Sequence, residues 1–264
     1  GLVLGYVWIL VQELLDKSLK GPEDVRKALS APVLGVLPKD PSPLRLGRGA
    51  QTEVEERLRA TRTNVLHALS HGARQVVVVT SAGPREGAST TAAGLARVLA
   101  LSGHRVVLVG GDLRSPSAVG APGAPGLAEV LVGTARLSQV LVEGEVPGLE
   151  LLPAGDMPGN PSELLGGRNM SDLLHHLAAD RIVIIDAPPV CRFTDAVVLA
   201  EYAGGVLLVA RAGRTSAEEL REAALAVGQG GGHMLGVVLT NVSDPGRGSR
   251  SVQAGVTHAE SATV

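Results

Sequence analysis

The sequence predicts an α/β fold: a doubly wound, mainly parallel sheet with helices on both faces. Short runs of β-branched residues, such as residues 75–80 with four consecutive valines, are typical of strands buried on both faces. These runs alternate with helical segments at the spacing of β-α-β units. Many of the 34 glycines lie in loops between apolar runs, where short α/β connections require them.

Length and composition limit the possible function classes. The 264 residues suffice for one large α/β domain or two small ones. The formal net charge is −2 and aromatic residues make up 2%, so neither polyanion binding nor base stacking is indicated. We therefore expect no nucleic-acid partner. The single cysteine, Cys191, excludes an intrachain disulfide and suits a reducing compartment.

The first twenty residues suggest a membrane connection. The chain begins with Gly1 rather than Met, so we expect it to be part of a longer protein. Gly1–Val11 is apolar, and an eleven-residue helix would span about 16 Å, roughly half of a bilayer core. We predict that residues 1–20 are the C-terminal end of a truncated transmembrane helix and its juxtamembrane segment, whose lysines favour a cytoplasmic exit. The alternative is a helix that docks its apolar face on the domain.

The other elements are predicted from composition and turn residues. Helices are predicted at 21–29, 51–70, 89–101, 126–131, 162–165, 171–179 and 216–227. Strands are predicted at 31–38, 75–80, 105–109, 149–152, 181–185, 205–210 and 235–240. Residues 39–49, rich in Pro, Gly and Arg, are interpreted as a linker or surface loop. Residues 243–264 lack an apolar period and a tyrosine, and they are predicted to be a disordered tail.

A glycine-bearing loop joins the strand at 75–80 to the helix at 89–101. In P-loop proteins, the N–H groups of such a loop and the positive end of the helix dipole converge on a phosphate. The usual signature is G-x-x-x-x-G-K-[ST], in which the lysine reaches the β- and γ-phosphates and the hydroxyl reaches Mg²⁺. Here the sequence S-A-G-P-R-E-G-A-S-T-T (81–91) keeps Gly87 and Ser89 but has Ala88 at the lysine position.

Three oxygen-bearing residues come at the ends of predicted strands. Ser89 comes after the first core strand, Asp112 after the second, and Asp186 ends the run at 181–185. Because carboxyl ends of parallel strands meet at one edge of the sheet, we expect these side chains to lie together. An apolar run that ends in aspartate is the Walker B pattern, in which the carboxylate holds Mg²⁺ directly or through water. The sequence therefore predicts a nucleotide–magnesium site.

These motifs together resemble the cytoplasmic domain of the bacterial tyrosine kinases (BY-kinases) attached to polysaccharide co-polymerases. The resemblance extends over almost the whole chain to about Val242 and implies a P-loop NTPase fold of the MinD/ParA-like branch, with residues 21–242 as the kinase-like domain. The matching segments are A-P-V-L-G-V-L-P (31–38), E-x-x-R-x-x-R-T-N (56–64), the loop at 81–91, D-L-R-S-P (112–116), L-P-A-G-D-M-P-G-N-P-S-E-L-L (152–165), I-V-I-I-D-A-P-P-V (182–190), Asp195 after Phe193-Thr194, and G-V-V-L-T-N-V (236–242).

The resemblance also implies ligands, partners and roles. ATP or ADP would bind with Mg²⁺, and Asp112 and Asp186 would be the catalytic residues. The metal residues would be Ser89, Asp112 and Asp186. The phosphates would be held by Gly83, Pro84, Arg85, Glu86, Gly87, Ala88, Ser89 and Thr90. The motif through which such domains associate into homo-oligomeric rings matches Glu56, Arg59 and Arg62. Further implied partners are the polysaccharide polymerisation and export machinery and, through the N-terminal helix, the membrane, at its cytoplasmic face.

The chain departs from the family pattern at positions that serve phosphoryl transfer. Ala88 replaces the lysine, and Gly110 stands where the family has the aspartate that accepts the tyrosine proton. The tail has no tyrosine, since the two in the chain are Tyr6 and Tyr202. A charge-assisted phosphate contact contributes roughly 1.5–3 kcal/mol, and a general base contributes about 10²–10⁴-fold in rate. Transfer should therefore be very slow, whereas the backbone cradle and the metal ligands remain.

These features allow two functional interpretations. The first is a nucleotide-binding pseudokinase that regulates exopolysaccharide or capsule biosynthesis and export. The alternative is an active tyrosine autokinase or ATPase that uses a substitute cation, such as Arg85, Arg114 or a neighbour's arginine. A partitioning-type ATPase is disfavoured, because the loop lacks that group's additional lysine at Gly83. Glu86 fits the family's loop, with a solvated loop charge as the simpler interpretation.

Overall fold

The computed structural model describes residues 17–39, 53–69, 74–115, 119–121 and 123–243. The expected transmembrane end, residues 40–49 of the predicted linker and residues 244–264 of the predicted tail lie outside these residues. Among the described helices, none is both long and apolar enough to cross a bilayer.

The strands form a single sheet within the described residues. Their bounds are β1 (Val33–Pro38), β2 (Val76–Ser81), β3 (Val106–Gly110), β4 (Val142–Glu143), β5 (Leu149–Leu152), β6 (Ile182–Asp186), β7 (Gly205–Arg211) and β8 (Met234–Val242). The order across the sheet is β1-β8-β7-β2-β6-β3-β5-β4. All neighbours are parallel except β4 and β5, which pair antiparallel. The predicted mainly parallel sheet is confirmed.

The helices flank this sheet. Their bounds are α1 (Pro22–Ala28), α2 (Glu53–Leu69), α3 (Ala88–Leu101), α4 (Leu127–Val132), α5 (Leu137–Val140), α6 (Pro161–Leu165), α7 (Arg168–Ala178), α8 (Asp195–Ala200) and α9 (Ala217–Gln229). The helices α5 and α8 and the strand β4 were not predicted, α7 begins at Arg168 rather than at residue 171, and β8 is longer than expected.

The core lies on both faces of the sheet. Alternate residues of β2 point to opposite faces, so Val77 packs with α2 and α3 while Val78 packs with α7, α8 and α9. The whole of β2 is buried, which explains its run of valines. The doubly wound arrangement is therefore confirmed, and it places the carboxyl end of β2 near the middle of the sheet edge.

One glycine sets the distance between α2 and α3. A Cβ added to Gly94 of α3 would lie 2.7 Å from the Cδ1 atom of Leu58 in α2. A side chain at this position would therefore have to displace the buried Leu58 side chain between the two helices.

Candidate functional site

The loop after β2 is fixed to the loop after β6. The Thr80 hydroxyl donates to the carbonyl of Pro188 at 2.7 Å, and the N–H of Val190 donates to the carbonyl of Ser81 at 2.8 Å. The Ser81 hydroxyl then donates to the carbonyl of Gly83 at 2.8 Å, within the loop itself. The first residues of the phosphate loop and the end of β6 thus hold a defined relative position.

Gly87 closes the loop and starts α3. Its φ of 100° is in the left-handed region, which favours glycine, and the N–H of Thr91 donates to its carbonyl at 2.9 Å. The free N–H groups of the first turn of α3 therefore face the loop, with Ser89 and Thr90 in that turn. A helix start after a glycine-rich loop has the geometry of an anion cradle.

Asp186 lies at the centre of the candidate site. It is 2% exposed, and it pairs in register with Gly110 at the end of β3. Burial raises its pKa from 3.8 to about 7; a hydrogen bond from Ser89 lowers it, and the charge of Asp112 raises it further. The fold thus brings Ser89, Asp112 and Asp186 together, although they are far apart in sequence.

Asp112 also organises the turn after β3. One carboxylate oxygen accepts the N–H of Arg114 at 3.0 Å, and the other accepts the Ser115 hydroxyl at 3.1 Å. These bonds orient the carboxylate and leave further lone pairs on both of its oxygens.

The donor set fits Mg²⁺. One hydroxyl and two carboxylates are hard oxygen ligands, and Mg²⁺ typically takes one or two carboxylates while phosphates and water complete its shell. A cation at this point would stabilise the ionised form of Asp186, which burial disfavours. The described residues contain no group of three or more His, Cys, Asp or Glu side chains that could hold a metal, and a Mg²⁺ ion here would need phosphate and water as further ligands.

The side-chain cation of the usual signature is absent from its position. Ala88 is half-buried and packs against the apolar cluster between the sheet, α2 and α3. Arg85, at the tip of the loop, is exposed with a positive φ of 62°, and its carbonyl accepts the Nη1 donor of Arg211 at 3.0 Å.

Arg114 is engaged elsewhere. Its Nε and Nη2 atoms donate to the two carboxylate oxygens of Asp195 at 2.7 Å and 3.0 Å. Its Nη2 atom also donates to the Ser162 hydroxyl at 3.0 Å, and the guanidinium lies 4.7 Å from the centre of the Phe193 ring. Although burial raises the pKa of Asp195, the bonds from Arg114 and Ser162 hold it below its ordinary value. To reach a phosphate, Arg114 would have to leave a fully buried carboxylate.

Glu86 is not a solvated loop charge. It is 3% exposed, and its Oε1 atom accepts the Thr215 hydroxyl at 2.7 Å. The hydroxyl of Thr240 donates to the Glu86 carbonyl at 2.6 Å. Burial raises the pKa of Glu86, against the lowering effect of hydrogen bonds from Thr215 and the Gly83 backbone. The simpler interpretation of Glu86 from the sequence was wrong: the carboxylate joins the loop to the start of α9.

A cavity of about 290 Å³ adjoins the loop on its other side. It lies between the first turn of α3 and the ends of β1, β7 and β8, with Leu37 and Pro38 as apolar walls. Thr90, Thr240 and Asn241 contribute polar groups to it. No sequence pattern indicates this cavity, since its walls come from strands at distant chain positions.

The residues of the expected oligomerisation motif lie on α2. The Glu56 side chain is 72% exposed. The guanidinium of Arg59 forms ion pairs with the carboxylates of Glu55 and Glu56, with N–O distances of 2.8 Å and 3.4 Å. Arg62 donates to the carbonyl of Val98 in α3 at 3.3 Å. Of the three, Glu56 is the most available to another molecule.

Comparison with known proteins places the chain in a family. No protein-family model matches it. The tyrosine-protein kinase ptk of Acinetobacter johnsonii is 29% identical over 90% of this chain, which spans 35% of that kinase. The tyrosine-protein kinase YwqD of Bacillus subtilis is 36% identical over 188 residues, covering 70% of this chain and 79% of YwqD. The chain belongs to the bacterial tyrosine-kinase family.

Solved structures share the fold of this domain. The chimerical protein CapA2B2 superposes with a TM-score of 0.78 at 32% identity, over 83% of this chain and 98% of its own. The septum site-determining protein MinD of Pyrococcus horikoshii, complexed with Mg-ADP, has a TM-score of 0.51 at 20% identity, over 62% of this chain and 69% of its own. The latter similarity concerns the fold alone, and it confirms the MinD-like P-loop architecture of this BY-kinase domain.

Proposed function

We propose that this BY-kinase domain binds ATP or ADP with Mg²⁺ at the loop between β2 and α3. The observation that carries the proposal is that Ser89, in the first turn of α3, lies near the buried Asp186 at the end of β6, beside Asp112. Oxygen ligands at the mouth of an anion cradle are what a magnesium–phosphate group requires. Ser89, Asp112 and Asp186 would hold the metal, and the backbone of residues 83–90 would hold the phosphates.

The adjacent cavity supplies a place for the nucleoside. It adjoins the phosphate loop at Gly87 and Thr90, and about 290 Å³ is close to the lower limit for small-molecule sites. Its apolar wall at Leu37 and Pro38 suits the face of a base, and Thr240 and Asn241 offer polar partners.

In this proposal the domain is a nucleotide-responsive regulator with weak or lost kinase activity. Ala88 contributes no charge to the γ-phosphate, Gly110 has no side chain to accept a proton, and Arg114 is bound to Asp195. Because phosphoryl transfer depends on positioning and charge stabilisation, these features support binding more than catalysis. The process regulated would be exopolysaccharide or capsule biosynthesis and export, at the cytoplasmic face of the membrane, in a ring formed through α2.

The second candidate function is an active tyrosine kinase or ATPase with a substitute cation. Arg85 favours it, because this exposed side chain belongs to the loop itself. Arg114 could serve only after releasing Asp195, and an arginine of a neighbouring subunit could also take the role.

Calorimetry with the full chain tests nucleotide binding. Mg-ATP and Mg-ADP are titrated into the unchanged protein and into Asp186→Asn, with Asp172→Asn as a control for an exposed carboxylate on α7. We expect Mg-dependent binding by the unchanged protein and the control, and its loss in Asp186→Asn. Absence of binding at millimolar nucleotide would refute the proposal.

A further inference from the structure

A cationic depression lies where the described chain begins. Its volume is about 380 Å³, and its lining includes the exposed cations Lys17, Lys20, Lys27 and Arg221. The carboxylate that also lines it is Asp24. We call this surface, defined by the four cations, the basic face. It has a strong local positive charge in a chain whose formal net charge is −2.

The backbone beneath the basic face is fixed. Leu19, between two of the lysines, is 1% exposed; its N–H donates to the carbonyl of Thr215, and its carbonyl accepts the N–H of Gly213, both at 2.8 Å. Ser18 forms a β-bridge with Ser216. The lysines therefore project from a docked segment, so less chain entropy is lost when they contact a partner.

Two carboxylates of α1 make local contacts. Oδ2 of Asp24 accepts the backbone N–H groups of Lys20 and Gly21 at 2.9 Å and 3.2 Å, and it thereby caps α1. Glu23 pairs with Arg26 at 2.8 Å. Asp24 keeps its negative charge while it caps α1, and four cations against this one carboxylate leave the lining of the depression net positive.

The composition of the preceding residues identifies the partner. Gly1–Val11 is apolar and includes Tyr6 and Trp8, the residue types that favour the membrane–water interface. Only five residues separate that run from Lys17. We propose that the basic face docks on the anionic phospholipid headgroups of a membrane, so that this side of the domain lies against the lipid surface. Cations held within a Debye length of such a surface are attracted to it.

Vesicle sedimentation with the full chain tests this docking, without nucleotide so that it is independent of the proposed function. The vesicles contain phosphatidylcholine alone or phosphatidylcholine mixed with phosphatidylglycerol. The test variant is Lys17→Gln, Lys20→Gln, Lys27→Gln. The control variant removes three exposed cations that do not line the depression, Arg105→Gln, Arg136→Gln, Arg168→Gln.

The expected difference is specific to anionic vesicles. Each lysine near an anionic surface contributes about fivefold to partitioning, so the test variant should bind phosphatidylglycerol vesicles about 100-fold more weakly at low salt. Binding to phosphatidylcholine alone, which reports the apolar run, should stay the same. An equal loss in the control variant, or no preference of the unchanged protein for phosphatidylglycerol, would overturn the proposal.

A second measurement reports the protection of individual lysines and does not depend on the amount of protein that binds the vesicles. Vesicle-bound protein is treated with a water-soluble acetylating reagent, and the rate is followed at each lysine by mass spectrometry. Lys17, Lys20 and Lys27 should react several-fold more slowly on phosphatidylglycerol vesicles than on phosphatidylcholine vesicles, with Lys39 as the internal control. Equal rates on the two kinds of vesicle would contradict docking through the basic face.

Discussion

Asp186 is the residue on which the chemistry of the site depends most. Burial and the neighbouring charge of Asp112 bring its pKa to about 7, so in the proposed site a proton and a metal ion would compete for this carboxylate near neutral pH. The hydrogen bond from Ser89 partly offsets this effect. A bound cation would replace the proton.

Magnesium–nucleotide binding should therefore depend on pH. Below a pKa of about 7, the ionised fraction of Asp186 falls about tenfold per pH unit. We expect the Mg-dependent affinity to weaken about tenfold between about pH 8 and about pH 6. Calorimetry across this range measures it, and a flat profile would contradict the assignment of Asp186 as a metal ligand.

The titration of Asp186 should also make folding stability depend on pH, and here stability falls as the pH rises. Because burial raises the pKa of Asp186 in the folded protein, folding favours the protonated carboxyl group. The stability that this preference contributes is fully present below the ordinary pKa of 3.8 and is lost as the pH rises through about 7. Asp186→Asn should thus raise the melting temperature at about pH 8 and change it little at about pH 4. Thermal unfolding at the two pH values measures both shifts, and an equal shift at each would contradict the raised pKa.

At the residue scale, the position of each residue relative to the strands was enough to predict which oxygen-bearing side chains lie together. Asp112 and Asp186 come at or just after the ends of apolar runs, and Ser89 follows the loop after another, so parallel strands bring all three to one edge. The burial of Glu86 could not be predicted, because its hydrogen-bond partner Thr215 is 129 positions further along the chain. The pairing of Arg114 with Asp195 was missed for the same reason.

At the scale of secondary-structure elements, the Arg114–Asp195 pair connects three parts of the fold. Arg114 lies in the turn after β3, Asp195 is the first residue of α8, and Ser162 belongs to α6. Asp195 is fully buried, so its charge depends on these donors.

Removing the guanidinium should destabilise the domain. Arg114→Ala leaves a buried carboxylate without its cation, which costs about 3 kcal/mol in unfolding free energy. Arg105→Ala, which breaks the exposed pair with Asp180, should cost less than about 1 kcal/mol. Urea unfolding of both variants measures the difference. Equal small losses would show that the buried pair contributes no more than an exposed one.

The elements that were not predicted from the sequence are short or have a weak hydrophobic pattern. β4 has two residues, both exposed, and it exists through its pairing with β5. α5 has four residues, too few for a helical period to be recognised. The central strands were predictable, since β2 and β6 are buried on both faces and consist largely of Val and Ile.

At the scale of the whole molecule, substitution of Glu56 tests whether the proposed ring forms through α2. Its side chain is 72% exposed on α2, and Glu53 on the same helix is 59% exposed with a similar arginine partner. Glu56→Ala should shift the oligomer toward monomer in sedimentation experiments, whereas Glu53→Ala should not. If both variants sediment as the unchanged protein does, α2 does not form the interface through this residue.

We propose that the domain keeps the nucleotide site and has lost most of its capacity for phosphoryl transfer. The most direct measurement is transfer from labelled ATP to a tyrosine-containing polypeptide by the unchanged protein and by Ala88→Lys, Gly110→Asp. The double variant restores a phosphate contact and a general base, so its rate should exceed that of the unchanged protein by at least about 100-fold. Transfer by the unchanged protein at the rate of the double variant, abolished by Asp186→Asn, would contradict the claim and identify an active kinase with a substitute cation.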